Sequence, residues 1–146
     1  MRVALDTNIL IYALGVNDEE RRRRAEELIA HLAPGEIVLP IQVLGELMRV
    51  LVGKARWPAP KARLSVQKYR YAHVVQPTNA STLEAALDLA VDHRLSIWDA
   101  VILNAAAEAG CRLLLSEDLA EGFTWRGLTV VNPFAASPHP LLARLL

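Results

Sequence analysis

Four short apolar runs, Val3-Ala4-Leu5, Ile37-Val38-Leu39, Leu113-Leu114-Leu115 and Leu128-Thr129-Val130-Val131, recur along the chain without polar alternation. They are too brief for helices, and the missing alternation predicts strands covered on both faces. Between them, apolar positions at helical spacing predict helices over Asn8 to Leu14, Asp18 to Leu32, Ile41 to Val52, Lys61 to Tyr71, Ser81 to His93 and Trp98 to Ala109. Strand and helix alternate, which predicts an α/β protein with a parallel sheet. Pro34-Gly35, Pro40, Trp57-Pro58-Ala59-Pro60, Pro77, Gly110, Gly122 and Gly127 mark the joins. The tail from Pro133 to Leu146 carries three prolines before an apolar end, and suits either a short closing turn or a partner-docking segment.

With 146 residues the chain has the size of one domain around one core. Its hydrophobic share of 53% is high, yet charges or prolines interrupt every apolar stretch short of the roughly 20 residues a membrane helix needs. The expectation is a protein with no membrane span and with apolar surface left for a partner. The opening MRVALDTNILIYA bears an acid at position 6 and no small-residue cleavage site, unlike a secretory signal, so a cytoplasmic location is expected. A single cysteine, Cys111, lies in an apolar run and reads as a core residue of a reducing compartment.

Net charge is zero, but its distribution is uneven. Residues 49 to 70 hold seven cations and no acid, whereas residues 1 to 48 sum to 5 − 8 = −3 and residues 71 to 146 to 4 − 8 = −4. A basic middle between acidic flanks offers an anionic polymer a docking strip beside an acidic pocket, or is simply a solvated helix face. Lys54, Arg56 and Lys61 are the candidate phosphate contacts. Trp57, Tyr69 and Tyr71, in or beside the strip, are candidates to stack on bases or to pack inward.

Ligands of open parallel sheets bind beyond the carboxyl ends of the strands, where Asp6 and Asp118 fall. An Asp there commonly caps a helix, so neither is telling alone. Asp99 shares a helix face with Ile102, Leu103 and Ala106, while Asn104 and Glu108 point away, so an inward carboxylate is expected. Glu46 lies on a polar stripe with Gln42, Gly45, Arg49 and Gly53, and pairing with Arg49 at i+3 explains it equally well. Together the four acids suit Mg²⁺ or Mn²⁺, which favour oxygen ligands and promote phosphodiester hydrolysis. The chain contains no GxSxG, HExxH or CxxC motif and no Gly-rich phosphate loop, and its four histidines lack ligand spacing.

Val3-Ala4-Leu5-Asp6-Thr7-Asn8-Ile9-Leu10, Leu44-Gly45-Glu46-Leu47, Ser96-Ile97-Trp98-Asp99-Ala100 and Leu114-Leu115-Ser116-Glu117-Asp118-Leu119 resemble, in order and spacing, the PIN domain, and within it the VapC-type toxins. The resemblance spans about residues 1–132, leaving 133–146 as a tail. It implies a three-layer α/β/α sandwich around a mostly parallel sheet of four or five strands, and an Mg²⁺- or Mn²⁺-dependent endoribonuclease. On that mapping Asp6, Glu46, Asp99 and Asp118 are catalytic metal-site acids, Asn8 and Ser116 are polar helpers, and Glu117 is an alternative ligand to Asp118. Implied partners are an RNA substrate, a second copy in a homodimer, and a VapB-type antitoxin that fills an apolar groove. A catalytically silent PIN-like module that binds RNA or a partner is the alternative. Receiver and haloacid-dehalogenase modules also place acids at strand ends, but Asp6-Thr7-Asn8 lacks the second acid of Asp-x-Asp and no lysine follows Lys68.

Overall fold

The computed structural model describes residues 1–146. Six strands form one sheet: β1 (Val3–Leu5), β2 (Ile37–Pro40), β3 (Val74–Gln76), β4 (Leu113–Leu115), β5 (Thr124–Trp125) and β6 (Leu128–Val131). Their order is β3-β2-β1-β4-β6-β5, parallel throughout except for the β5–β6 hairpin. β1 sits between two partners, with Val3 opposite both Ile37 and Leu113. Every residue of β1, β2 and β4 is buried, so helices cover both faces, as the unalternated apolar runs require.

Seven α-helices and a 3-10 turn at Pro34–Glu36 complete the chain: α1 (Thr7–Ala13), α2 (Glu19–His31), α3 (Ile41–Gly53), α4 (Ala59–Ala72), α5 (Ala80–His93), α6 (Ile97–Glu108) and the single turn α7 (Pro140–Ala143). None is long and apolar enough to cross a membrane. Local chemistry explains their starts. Asp18 accepts from the Arg21 amide at the head of α2, Asn79 caps α5, and the Ser96 hydroxyl accepts from the Asp99 amide at the head of α6. Leu142 of α7 is buried in the common core, so the tail packs on the domain.

The sheet has six strands rather than four or five. β3 is a three-residue edge strand whose residues are only partly buried, so it lacks the solid apolar run of its neighbours. β5 is two residues long and is set by its turn. Arg126 and Gly127 both have positive φ, 47° and 84°, as a tight two-residue hairpin requires. α4 begins two residues earlier than the periodicity indicates, because Pro60 lies in its first turn, where a missing N–H breaks no helical hydrogen bond. Asn104 does not face away from the core. It is fully buried between α5, α6 and β5, donating to the Thr82 carbonyl at 3.2 Å and to Glu108 at 3.0 Å, and accepting from the Trp125 indole at 3.4 Å. The polar side of α6 is thus the α5 interface, its amide satisfied by partners from three elements.

Candidate active site

The chain passes from β1 to β2 and β3 on one side of the sheet, then crosses β1 to continue with β4 and β6 on the other. The segments leaving β1 and β4, the helix α1 and a loop, therefore part here, opening a crevice beyond the carboxyl ends of these two strands. Asp6 follows β1 and Ser116 follows β4, and the sheet ladder runs on into them. The Asp6 amide donates to the Leu115 carbonyl at 3.0 Å and the Ser116 amide to the Val131 carbonyl at 3.0 Å. Across the crevice the Ser116 hydroxyl donates to Asp6 Oδ2 at 2.7 Å, while the Thr7 amide donates to Oδ1 at 2.8 Å. Asp6 is only 7% exposed. Burial pushes its carboxyl up to about 6, and the nearby charges of Glu46 and Asp99 add to the rise despite the two hydrogen bonds.

The other acids approach from helices and a loop. Glu46 on α3 accepts from the Thr7 hydroxyl at 2.8 Å and from the Gln42 amide at 3.2 Å, which draws it to the crevice instead of pairing it with Arg49 on the surface. Asp99, in the first turn of α6, is half-buried. Burial and the charges of Glu46 and Asp118 hold its carboxyl above the usual range. Asp118 is exposed on the loop after β4 and accepts from the Asn8 side-chain amide. Its neighbour Glu117 turns the other way, accepting from the Tyr12 hydroxyl at 2.8 Å and from Arg21 Nε at 2.7 Å. Asp118, not Glu117, belongs to the crevice.

Asp6, Glu46, Asp99 and Asp118 line one cavity of about 190 Å³, together with the cations Arg49 and Lys54. Four carboxylates from four separated segments suit a hard divalent cation, and the raised Asp6 and Asp99 carboxyls, held up chiefly by burial and further by the neighbouring acids, are a cost that such a cation would relieve. In the present side-chain arrangement no three His, Cys, Asp or Glu groups converge on one ion position. Glu46 and Asp118 are held by Thr7, Gln42 and Asn8 instead.

The basic strip reaches this cavity through Lys54, while Arg56 and Lys61 lie exposed beyond it. Trp57 is half-buried against the core, and the Lys61 ammonium sits 4.0 Å from its ring centre, so packing accounts for its visible contacts. Tyr69 packs on the core as well and stacks on His73 at 6.0 Å, whereas Tyr71 is 78% exposed. Thr7, Gln42 and Arg49 are site residues that the sequence did not single out. Thr7 lies inside the Asp-Thr-Asn run, but its bond to Glu46 spans 39 residues and exists only once α1 packs on α3.

Fold and cavity define a class: an α/β domain with a four-carboxylate crevice at the switch point of a parallel sheet. Residues 3–120 match the model of the PIN domain, and the chain belongs to the PIN domain family. Its fold is similar to that of VapC20 from Mycobacterium tuberculosis, a sarcin-ricin loop cleaving toxin. The two are 21% identical with a TM-score of 0.67, over 80% of this chain and 89% of the other. A toxin–antitoxin complex from Klebsiella pneumoniae matches with 21% identity and a TM-score of 0.67, over 90% of this chain and 98% of its own. DNA-bound VapBC from Salmonella typhimurium matches with 14% identity and a TM-score of 0.65, over 91% and 98%. No curated protein matches significantly by sequence.

Proposed function

We propose that this protein is a divalent-metal-dependent endoribonuclease, the toxin of a type II toxin–antitoxin pair. The observation that carries the reading is the shared cavity of Asp6, Glu46, Asp99 and Asp118 at the β1–β4 switch point. Membership of the PIN family and the fold shared with VapC toxins support it.

Asp6, Glu46, Asp99 and Asp118 would hold Mg²⁺ or Mn²⁺, which supplies neutralising charge at the phosphate and acidifies the attacking water. The chain's own groups prepare the site. Ser116 and the Thr7 amide fix both oxygens of Asp6, the Thr7 hydroxyl aims Glu46, and Asn8 restrains Asp118. Arg49 and Lys54 place positive charge beside the acids, where a backbone phosphate enters. Arg56 and Lys61 extend that path along the strand. A homodimer and a VapB-type antitoxin docked on apolar surface complete the reading, and exposed Leu64, Tyr71, Leu83, Leu87 and Val91 supply such surface. A cytoplasmic setting fits the single buried thiol of Cys111.

Purified protein is expected to cut single-stranded or looped RNA with added Mg²⁺ or Mn²⁺, to stop in EDTA, and to lose cutting in Asp99→Asn with the fold intact. Equal cleavage in EDTA overturns the metal mechanism. Charge reversal at Lys54, Arg56 and Lys61 should weaken RNA binding and flatten its salt dependence, and unchanged binding removes the strip from the pathway.

A further inference from the structure

The tail from Pro133 to Leu146 lies beyond the residues that match the PIN model, which end at 120, and none of it lines the four-carboxylate cavity. It is tied all the same to the loop that carries Asp118. β4 and β6 are neighbours with Leu115 opposite Val131, so the chain leaves both strands side by side. Just past β6 the Asn132 side chain accepts from the Phe134 amide at 2.9 Å, a local turn that fixes the course of the backbone there. Arg24 of α2 donates to the Phe134 carbonyl at 3.2 Å, and Leu142 further on is buried in the core. The backbone of Phe134 is therefore held independently of its ring.

The ring meets the two side chains that hold Glu117. Tyr12 donates its hydroxyl to Glu117 at 2.8 Å, and Arg21 donates its Nε–H at 2.7 Å. The rings of Tyr12 and Phe134 pack edge to face with centres 5.3 Å apart, and the Arg21 guanidinium lies 5.5 Å from the centre of Phe134. Both arrangements use the charge distribution of an aromatic ring, negative on its face and positive at its edge. An aliphatic side chain of similar bulk fills the space and offers neither. Arg21 is 38% exposed and carries a long, rotamer-rich chain, so a surface that orders it strengthens its grip on Glu117.

We propose that Phe134 is a positioning residue of the metal site, acting through Tyr12 and Arg21 on Glu117 and so on the adjacent Asp118. The tail is then a brace: it touches none of the four carboxylates and limits the travel of the loop from which Asp118 reaches the cavity. Asp118 is exposed, with the Asn8 side chain as its own partner. Loop position therefore matters more for Asp118 than for Asp6, whose backbone the sheet fixes. This assignment rests on the divalent-metal nuclease reading above.

The test uses the full chain and reads Mn²⁺ affinity without RNA, by calorimetric titration, beside the melting temperature in EDTA. Phe134→Leu keeps apolar bulk and loses the ring. It should melt within a few degrees of wild type and bind Mn²⁺ about threefold more weakly, the scale of one partly exposed cation–π contact. Phe134→Tyr keeps the ring and should bind Mn²⁺ as wild type does. Added to Arg21→Met, Phe134→Leu should weaken binding hardly further, since the two changes act on one grip. Equal Mn²⁺ affinity in wild type and Phe134→Leu, or an equal loss in Phe134→Leu and Phe134→Tyr, overturns the brace. Wild-type RNA cleavage with Mn²⁺ then leaves the nuclease reading standing. A loss of the same size with and without Arg21→Met overturns the route through Arg21. Wild type that neither binds Mn²⁺ or Mg²⁺ nor cuts RNA overturns both readings. Should Phe134→Leu fail to fold, Phe134→Met, an adaptable apolar replacement, takes the same measurements.

Discussion

The floor and the rim of the crevice hold their acids in opposite ways. Asp6 stands on the sheet: its backbone continues the β1–β4 ladder, and each of its oxygens receives a hydrogen bond from a buried donor. Asp118 stands on a loop, exposed, with the side chain of Asn8 as its partner. The first acid pays in stability for a buried, fixed position, as its elevated carboxyl shows, while the second stays in solvent with a single side-chain restraint. For the cation site proposed above, this division makes Asp6 a preformed anchor and Asp118 an arm on the loop.

The largest effect that separates the two is at Asp6. Its carboxyl ionises near 3.8 in the unfolded chain and near 6 in the folded one, so the native state binds more protons between these values. Native stability in EDTA therefore falls as pH rises from about 4 to 6 and stays low above that, by about 3 kcal/mol at most for a shift of this size. Asp6→Asn should abolish RNA cleavage, by at least about a hundredfold, yet be more stable than wild type in EDTA at pH 7. The gain should vanish near pH 4. Mn²⁺ should raise the melting temperature of wild type and not of the variant. Urea titrations in EDTA that show Asp6→Asn less stable than wild type at pH 7 would break the contrast.

Ser116 comes next. Its hydroxyl donates to Asp6 and accepts from the Leu119 amide at 3.2 Å, so it ties the floor to the start of the loop. Ser116→Ala leaves a buried carboxylate oxygen without its donor, and a loss of about 1–3 kcal/mol is expected at pH 7 by chemical denaturation. The loss should shrink on acidification below pH 6, where Asp6 protonates. A loss of the same size at pH 5 and pH 8 would place the cost in the loop turn and not in the carboxylate.

The same division accounts for what could be read before folding. β1, β2 and β4 are runs of buried residues, and that property is written in consecutive letters. Asp6 and Asp99 were visible for a related reason, one ending an apolar strand and the other set on the Ile102 face of α6. Features made by tertiary contact were not visible. The edge strand β3 owes its pairing to β2, Asn104 reads as a surface residue until α5 covers it, and Glu46 needed Thr7 from another helix to turn inward. Glu117 and Asp118 are the sharpest case. Adjacent acids after one strand are indistinguishable as letters, and only the placement of Tyr12 and Arg21 shows which one faces the cavity.

That pair also supplies the smallest and most discriminating effect. Arg21 is held by Asp18 at 3.0 Å, grips Glu117 at 2.7 Å and packs over the rings of Tyr12 and Phe134. With Tyr12 it pins the residue next to Asp118 to α1 and α2, limiting how far the loop can swing. Because the pair is only partly buried, the side chains of Arg21 and Glu117 being 38% and 22% exposed, Arg21→Met should lower the melting temperature in EDTA only slightly. Mn²⁺ affinity, read by metal-dependent thermal shift, is where the change should appear: weaker by about tenfold or less, as for other groups that orient a ligand from behind. Glu117→Gln, which keeps an acceptor for Tyr12 and loses the charge for Arg21, should fall between wild type and Arg21→Met. Tighter Mn²⁺ binding in Arg21→Met would mean that the freed Glu117 joins the ion itself, and the arm on the loop would then carry two acids in place of one.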